Sequence, residues 1–444
     1  MNIIEIKSMY EKIIMNIKIK KPEDRVIPYQ MLLEAISTTK ELVERILPEN
    51  GIPSLRIGLN EIESGLEKYL ERAREDLPVV GYHFSLPAEF LSCYDCVPVC
   101  IEGTSYFLAA LLYGGVEKYY DKANNWGHPF HTCTSQKGVL GMTLDDLFKF
   151  DALITPTAPC NSTCSSYPFF QNFKNFPLII ADMPYIREDK SYVYFGEQLQ
   201  NAIYELGKVL DQEPDFKKLR DAIKLENKVL EVKLEIFDLI KAIPSPIENI
   251  YNPVSCATSV FLSGMQENLS FYEKMLEIAK KRYKNGEHHG GLEKIRSIWP
   301  YMTTFFDISL CEWLDRNLGM SILFDIFNYN FFEPINTSAN LDQLFIEMAQ
   351  KTMNFPMTKQ STQFYYPFID DCVNLAREFS ADCFIYTQSL ACKQFGSIPK
   401  ILRDALKEEV GIPTLIIEFD VGDARMTSLK TFKEKISMFV QTLI

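Results

Sequence analysis

No apolar run in this 444-residue chain is long enough to cross a bilayer, because Lys, Glu or Asp interrupts each candidate. Long basic stretches are missing too. Lys+Arg 46 against Asp+Glu 59 leaves a net charge of −13, which argues against nucleic-acid binding as a main role. The P-loop pattern GxxxxGK[ST] is absent, so ATP hydrolysis is expected to belong to another protein. No compact CxxC…CxxC pair and no short-period repeat occur. The opening stretch MNIIEIKSMYEKIIMNIKIKKPED alternates charged and apolar residues at helical spacing and lacks a signal-peptide core. A cytoplasmic protein is therefore expected. Eleven cysteines in a reducing compartment point to buried, metal-bound or catalytic thiols, not to a disulfide framework.

What remains is the composition of a globular protein, 47% hydrophobic and 13% aromatic, with length for two or three domains. Residues 1–76 read as helical, over 3–19, 28–47 and 59–74. PVVGYHF (78–84) reads as a first strand and PAEFLSCYDC (87–96) as a helix. VPVCIEG (97–103) reads as a second strand, and 105–122 as a helix followed by a long polar loop, 123–141. DALIT (151–155) and FPLIIADMP (176–184) complete a first alternating unit. After charged helices around Pro214, a second unit offers strands at 295–299, 320–327, 381–387 and 411–420. The expected fold class is α/β: two doubly wound, Rossmann-like parallel-sheet domains at 77–212 and 291–444. An N-terminal helical segment (1–76) and a helical connector (213–290) complete the chain.

In such sheets ligands bind beyond the carboxyl ends of the strands. Cys160 and Cys164 follow the 151–155 strand there, where a helix N-terminus would lower a thiol pKa and favour metal ligation. Cys133 and Cys392 lie in further loops on the same side, Cys392 in the other domain, so a centre could form between domains. Three thiolates on a cubane would leave one iron open to substrate. Buried thiols acting as small hydrophobes are the plainer reading. A zinc site from His128, His131, Cys133, Cys160 and Cys164 is a rival. Cys93 and Cys96, placed in a helix, read as core packing. So do Cys256, Cys311, Cys372 and Cys383, whereas Cys100 stays open. His288 and His289, in a glycine-flanked loop, read as solvated. Glu418, Asp420, Asp423 and Arg425 read as an Arg–carboxylate network at a strand–helix junction. Ser85 and Glu89, at the first strand–helix turn, are candidate catalytic residues; Glu89 could serve in acid–base work, although an acidic residue in a first helical turn is usually structural.

GYHFSLPAEF followed by VPVCIEG resembles the first βαβ unit of the 2-hydroxyacyl-CoA dehydratase and benzoyl-CoA reductase superfamily. HTCTSQKGVLG, DALITPTAPC, LIIADMP, EKIRSIW (293–299), SLACKQFG and GIPTLIIEFDVGDAR follow in the family's order. The resemblance implies a [4Fe-4S] cluster on Cys133, Cys160 and Cys392, between two Rossmann-like domains. It implies a dimer with a related subunit or with itself, and an acyl-CoA substrate. An ATP-hydrolysing iron–sulfur activator protein would supply an electron, so that a ketyl radical expels the hydroxyl and gives a 2-enoyl-CoA. The family also contains double-cubane [8Fe-9S] reductases of small molecules, which need six thiolates, and the extra Cys164 keeps that alternative open. A non-catalytic iron–sulfur or zinc paralogue is a third.

Overall fold

The computed structural model describes residues 25–46, 51–112, 115–301, 304–325, 332–355 and 357–443. The helix expected at 3–19 lies outside them. Helices α1 (Ile27–Ile46) and α2 (Pro53–Arg74) precede β1 (Val79–Tyr82), a 3-10 turn (Ala88–Cys93), β2 (Val97–Cys100) and α3 (Ile101–Leu112). Next come α4 (Glu117–Asn125), α5 (Thr134–Leu144), β3 (Ala152–Pro156), α6 (Asn161–Lys174) and β4 (Leu178–Ala181). Helices α7 (Asp189–Leu210), α8 (Phe216–Ile240), α9 (Tyr251–Phe261) and α10 (Gln266–Asn285) lead to β5 (Ile295–Ile298). The second unit runs α11 (Ser309–Trp313), β6 (Met320–Phe324), α12 (Leu341–Met353), α13 (Thr358–Ser361), α14 (Tyr366–Glu378) and β7 (Cys383–Ser389). It closes with α15 (Lys393–Gly396), α16 (Pro399–Glu409), β8 (Thr414–Phe419) and α17 (Leu429–Val440).

Two four-stranded parallel sheets result, ordered β2-β1-β3-β4 and β6-β5-β7-β8. Successive strand side chains point to opposite faces. Val79 and Leu153 therefore join one apolar core, while Val80, Tyr82, Ala152 and Ile154 join another. A sheet covered on both faces needs near-continuous apolar strands, and that is how these read. The second of these cores is covered by Phe195, Leu199 and Ile203 of α7 and by Leu344, Phe345 and Met348 of α12. Helix α12, from the second half of the sequence, thus packs on α7 and joins the core beneath the first sheet.

Several local expectations are corrected. β2 stops at Cys100 and α3 begins at once, so Glu102 and Gly103 are helical. The expected helix over 87–96 is a 3-10 turn ending at Cys93, which leaves Cys96 in the bend before β2. The expected helix at 105–122 is two helices, α3 and α4. Most of the expected polar loop at 123–141 is helix too, because α5 occupies its end. Every residue of Thr134–Thr143 is buried, so α5 shows no polar face for periodicity to detect.

Glycine lets α5 sit that deep. A Cβ on Gly141 would come within 2.1 Å of the Tyr119 carbonyl oxygen, a backbone atom of α4. Gly141→Ala is expected to lower unfolding stability by about 1–3 kcal/mol, read from denaturant midpoints. An unchanged midpoint would mean that α4 and α5 do not meet this closely.

Candidate functional site

Cys133, Cys160 and Cys392 each occupy the residue immediately before a helix, namely α5, α6 and α15. Cys160 follows β3 by four residues and Cys392 follows β7 by three. All three line one cavity of about 620 Å³ over the carboxyl ends of both sheets, beside Phe84, Glu102, Tyr106, Tyr301 and Phe305. Hydrogen bonds hold the three loops together. Cys133 N donates to Ser162 Oγ at 3.3 Å. Gln394 Nε2 donates to Pro159 O at 2.9 Å and to Asn161 Oδ1 at 2.8 Å. The Cys392 loop of one half is thereby fixed to the Cys160 loop of the other.

A helix N-terminus was expected to lower the thiol pKa at Cys164, and burial raises it instead; burial dominates at two further cysteines as well. It pushes Cys133 up to about 12, with the Cys160 charge adding, although hydrogen bonds from Ser135 and Tyr106 act downward. Burial likewise pushes Cys392 up to about 11 against hydrogen bonds from Tyr301 and from the backbone of Phe395 and Gln394. A bound cation inverts this balance, since a coordinating thiol is deprotonated outright. The donors are already in place. Ser135 Oγ donates to Cys133 Sγ at 3.0 Å, and Tyr106 OH lies 2.9 Å from the same sulfur.

The donor set suits a multi-iron cluster better than one zinc ion. Four ligands around zinc, with Zn–S of about 2.3 Å, place sulfurs about 3.8 Å apart. No three donors among His128, His131, Cys133, Cys160 and Cys164 come within 4.8 Å of one another. His128 is buried, with Nε2 3.1 Å from Ser166 Oγ, and His131 is exposed. Cys164 is exposed, its Sγ 3.3 Å from Thr157 O. Cys256, expected in the core, is buried yet reaches the cavity wall. Cys93, Cys96, Cys100, Cys311, Cys372 and Cys383 are buried. His288 and His289 are not solvated as expected. The His288 ring is buried with Nδ1 2.9 Å from Ser245 O, and the His289 side chain is 5% exposed.

Sequence reasoning passed over Glu102. It sits in the first turn of α3, is 4% exposed and faces the cavity of Cys133, Cys160 and Cys392. Oε1 accepts from Gln136 Nε2 at 3.2 Å and from Tyr167 OH at 3.4 Å, while Oε2 accepts from Phe84 N at 3.1 Å. Burial outweighs these bonds and raises its pKa to about 7. His83 beside it is buried and pushed down to about 3, so it stays neutral. A glutamate placed inside an apparent strand gave no sign of this; placing β2's end at Cys100 would have.

Ser85 and Glu89 line a neighbouring cavity of about 770 Å³ instead, which shares Phe84, Cys256 and Val260 with the first. Ser85 Oγ lies 2.7 Å from His83 Nδ1. Glu89 is buried in an ion pair with Lys351 of α12, and Ser263 Oγ donates to it at 2.8 Å. Removing one member of a buried pair costs about 3–5 kcal/mol, a strong structural reason for both residues. The C-terminal network joins the halves as well. Asp420 Oδ1 accepts from Thr134 Oγ1 at 2.7 Å, next to Cys133. Arg425 binds Asp423 at 2.7 Å and Asp121 of α4 at 2.9 Å. Glu418 is exposed and stands outside the network.

A family model described as 2-hydroxyglutaryl-CoA dehydratase, D-component, matches residues 84–443. The chain belongs to that family. The match begins just after β1, covers the other seven strands and takes in Cys133, Cys160 and Cys392. No curated protein matches the chain. Among the described residues, no helix is long and apolar enough to cross a membrane. Membership in a dehydratase family makes an enzymatic role and an iron–sulfur cofactor reasonable for this chain.

Because Glu102 titrates higher in the fold than in the unfolded chain, the native state binds more protons from about pH 4.5 to 7, and stability falls as pH rises through that window. Glu102→Gln should therefore stabilise the protein at pH 8 by up to about 3 kcal/mol and have little effect at pH 4.5. Thermal unfolding of both proteins at the two pH values reads this. A difference that does not change with pH would contradict the raised pKa.

Proposed function

We propose that this chain is the cluster-bearing subunit of an ATP-activated 2-hydroxyacyl-CoA dehydratase that forms 2-enoyl-CoA. The observation that carries the reading is the convergence of Cys133, Cys160 and Cys392, from both halves, on one cavity at the sheets' carboxyl ends. The three thiols that begin helices, Cys133, Cys160 and Cys392, match a [4Fe-4S] cluster with one iron left open, while Cys256 lines the wall from within a helix. When bound, that group would supply one-electron chemistry, relaying an electron from an ATP-hydrolysing iron–sulfur activator to the thioester, which would lose its 2-hydroxyl and a β-proton as water and give the electron back.

The chain's own residues prepare the cavity. Hydroxyls of Ser135, Tyr106 and Tyr301 spread the charge of the sulfurs. Phe84, Phe305 and Met357 exclude water. Glu102, raised by burial to about 7, keeps a protonated population at neutral pH that can give a proton to a departing hydroxyl. The neighbouring cavity offers room for an acyl chain behind Phe84. A double-cubane reading would need six thiolates. Cys164 is exposed and Cys93 and Cys96 lie in the core, which supports the single cluster. A related subunit as partner is part of the proposal.

Anaerobically purified protein should carry about four irons and four sulfides per chain. Cys160→Ala should lose most of that iron, and Cys93→Ala should keep it. Dehydration of a 2-hydroxyacyl-CoA should need both the activator and ATP. Full iron retention in Cys160→Ala, or turnover without ATP, would overturn the reading.

A further inference from the structure

A second group of metal-ligating side chains lies on the far edge of the second sheet. His289 belongs to the loop between α10 and β5, while Glu312 and Asp315 belong to α11 and the π turn (Leu314–Leu318) that continues it. Both segments sit at the amino ends of β5 and β6, where Lys294 N and Ile295 N donate to Gly319 O. Cys392, by contrast, follows the carboxyl end of β7.

Each of the three side chains brings a ligand atom within 4.8 Å of the other two. Glu312 and Asp315, spaced i, i+3, share a helix face. His289 Nε2 lies 3.0 Å from Glu312 Oε2, and Arg316 takes Glu312 Oε1. Asp315 is 1% exposed; its Oδ2 accepts from Asn249 N at 3.1 Å, and its Oδ1 has no hydrogen-bond partner among the described residues. The nearby Arg282 is taken by Glu248. A buried carboxylate oxygen without a donor is costly; burial pushes Asp315 up to about 8, so the oxygen is satisfied by a proton or by a bound cation that replaces it.

The backbone supports the arrangement. A Cβ on Gly290 would come within 2.2 Å of the Asp315 carbonyl oxygen, so only glycine lets the His289 loop lie against the π turn. Single π turns inside helices often mark functional sites.

We propose that His289, Glu312 and Asp315 bind a divalent transition-metal ion of the zinc class. One imidazole and two carboxylates suit a borderline ion and leave a coordination position for water. The ion clips the loop before β5 to the turn before β6. The site is independent of the thiol cavity.

Cobalt(II), titrated into chelator-treated full-length protein, distinguishes the two sites, because only thiol ligation gives an intense sulfur-to-cobalt charge-transfer band. Wild type should bind a cobalt ion without that band, and zinc should displace it. His289→Gln and Asp315→Asn should weaken this binding by at least about 100-fold. Cys160→Ala should leave it unchanged. If Asp315→Asn does not fold, Glu312→Gln, at a side chain 23% exposed, serves in its place. Cobalt bound only with the thiolate band, or binding indifferent to His289→Gln, would overturn the site. Loss of cobalt binding with iron content intact would separate this result from the cluster reading.

Discussion

The site depends on a few polar bonds that hold the carboxyl ends of two separate sheets against each other. Asp420 reaches Thr134 at the start of α5, and Gln394 reaches Pro159 and Asn161 around Cys160. Each bond joins a segment after a strand of one sheet to the residue beside a cavity cysteine of the other. Apolar packing alone is non-directional and could not set this register. Hydrogen bonds can, because their distances and angles are narrow. The Arg425 network with Asp423 and Asp121 repeats the connection further out.

The same burial that seals the cavity sets its acid–base character. Desolvation disfavours every charged form it reaches. It raises the Cys133 and Cys392 thiols and Glu102, and lowers His83. A cavity that resists charge in this way favours occupants that bring compensating positive charge to its sulfurs. It also leaves one carboxyl poised near neutrality. Glu89 is instead ion-paired with Lys351 and serves as a strut between the 3-10 turn and α12.

The two sheets were legible in the sequence because their strands are buried on both faces and read as short apolar runs bounded by turn residues. Cys160 and Cys392 were legible for the same reason, since each follows such a run. Helix α5 was not. Its residues are buried all round, and Gly138 and Gly141 look like loop signals until close packing on Ser105 and Tyr119 explains them. Glu102 was hidden by the abrupt change from β2 to α3, and His289 by glycines that suggested a solvated loop.

The sequence by itself determined the α/β class, the order of the strands along the chain and the chemical types available at their ends. Those follow from local periodicity and turn chemistry, which act over a few residues. Only the tertiary structure decided which thiols meet, that Glu102 rather than Ser85 or Glu89 faces them, and that His289 closes on Asp315. These outcomes depend on desolvation and on contacts between residues far apart in the chain, such as the 235 positions between Gln394 and Pro159. No local pattern encodes them.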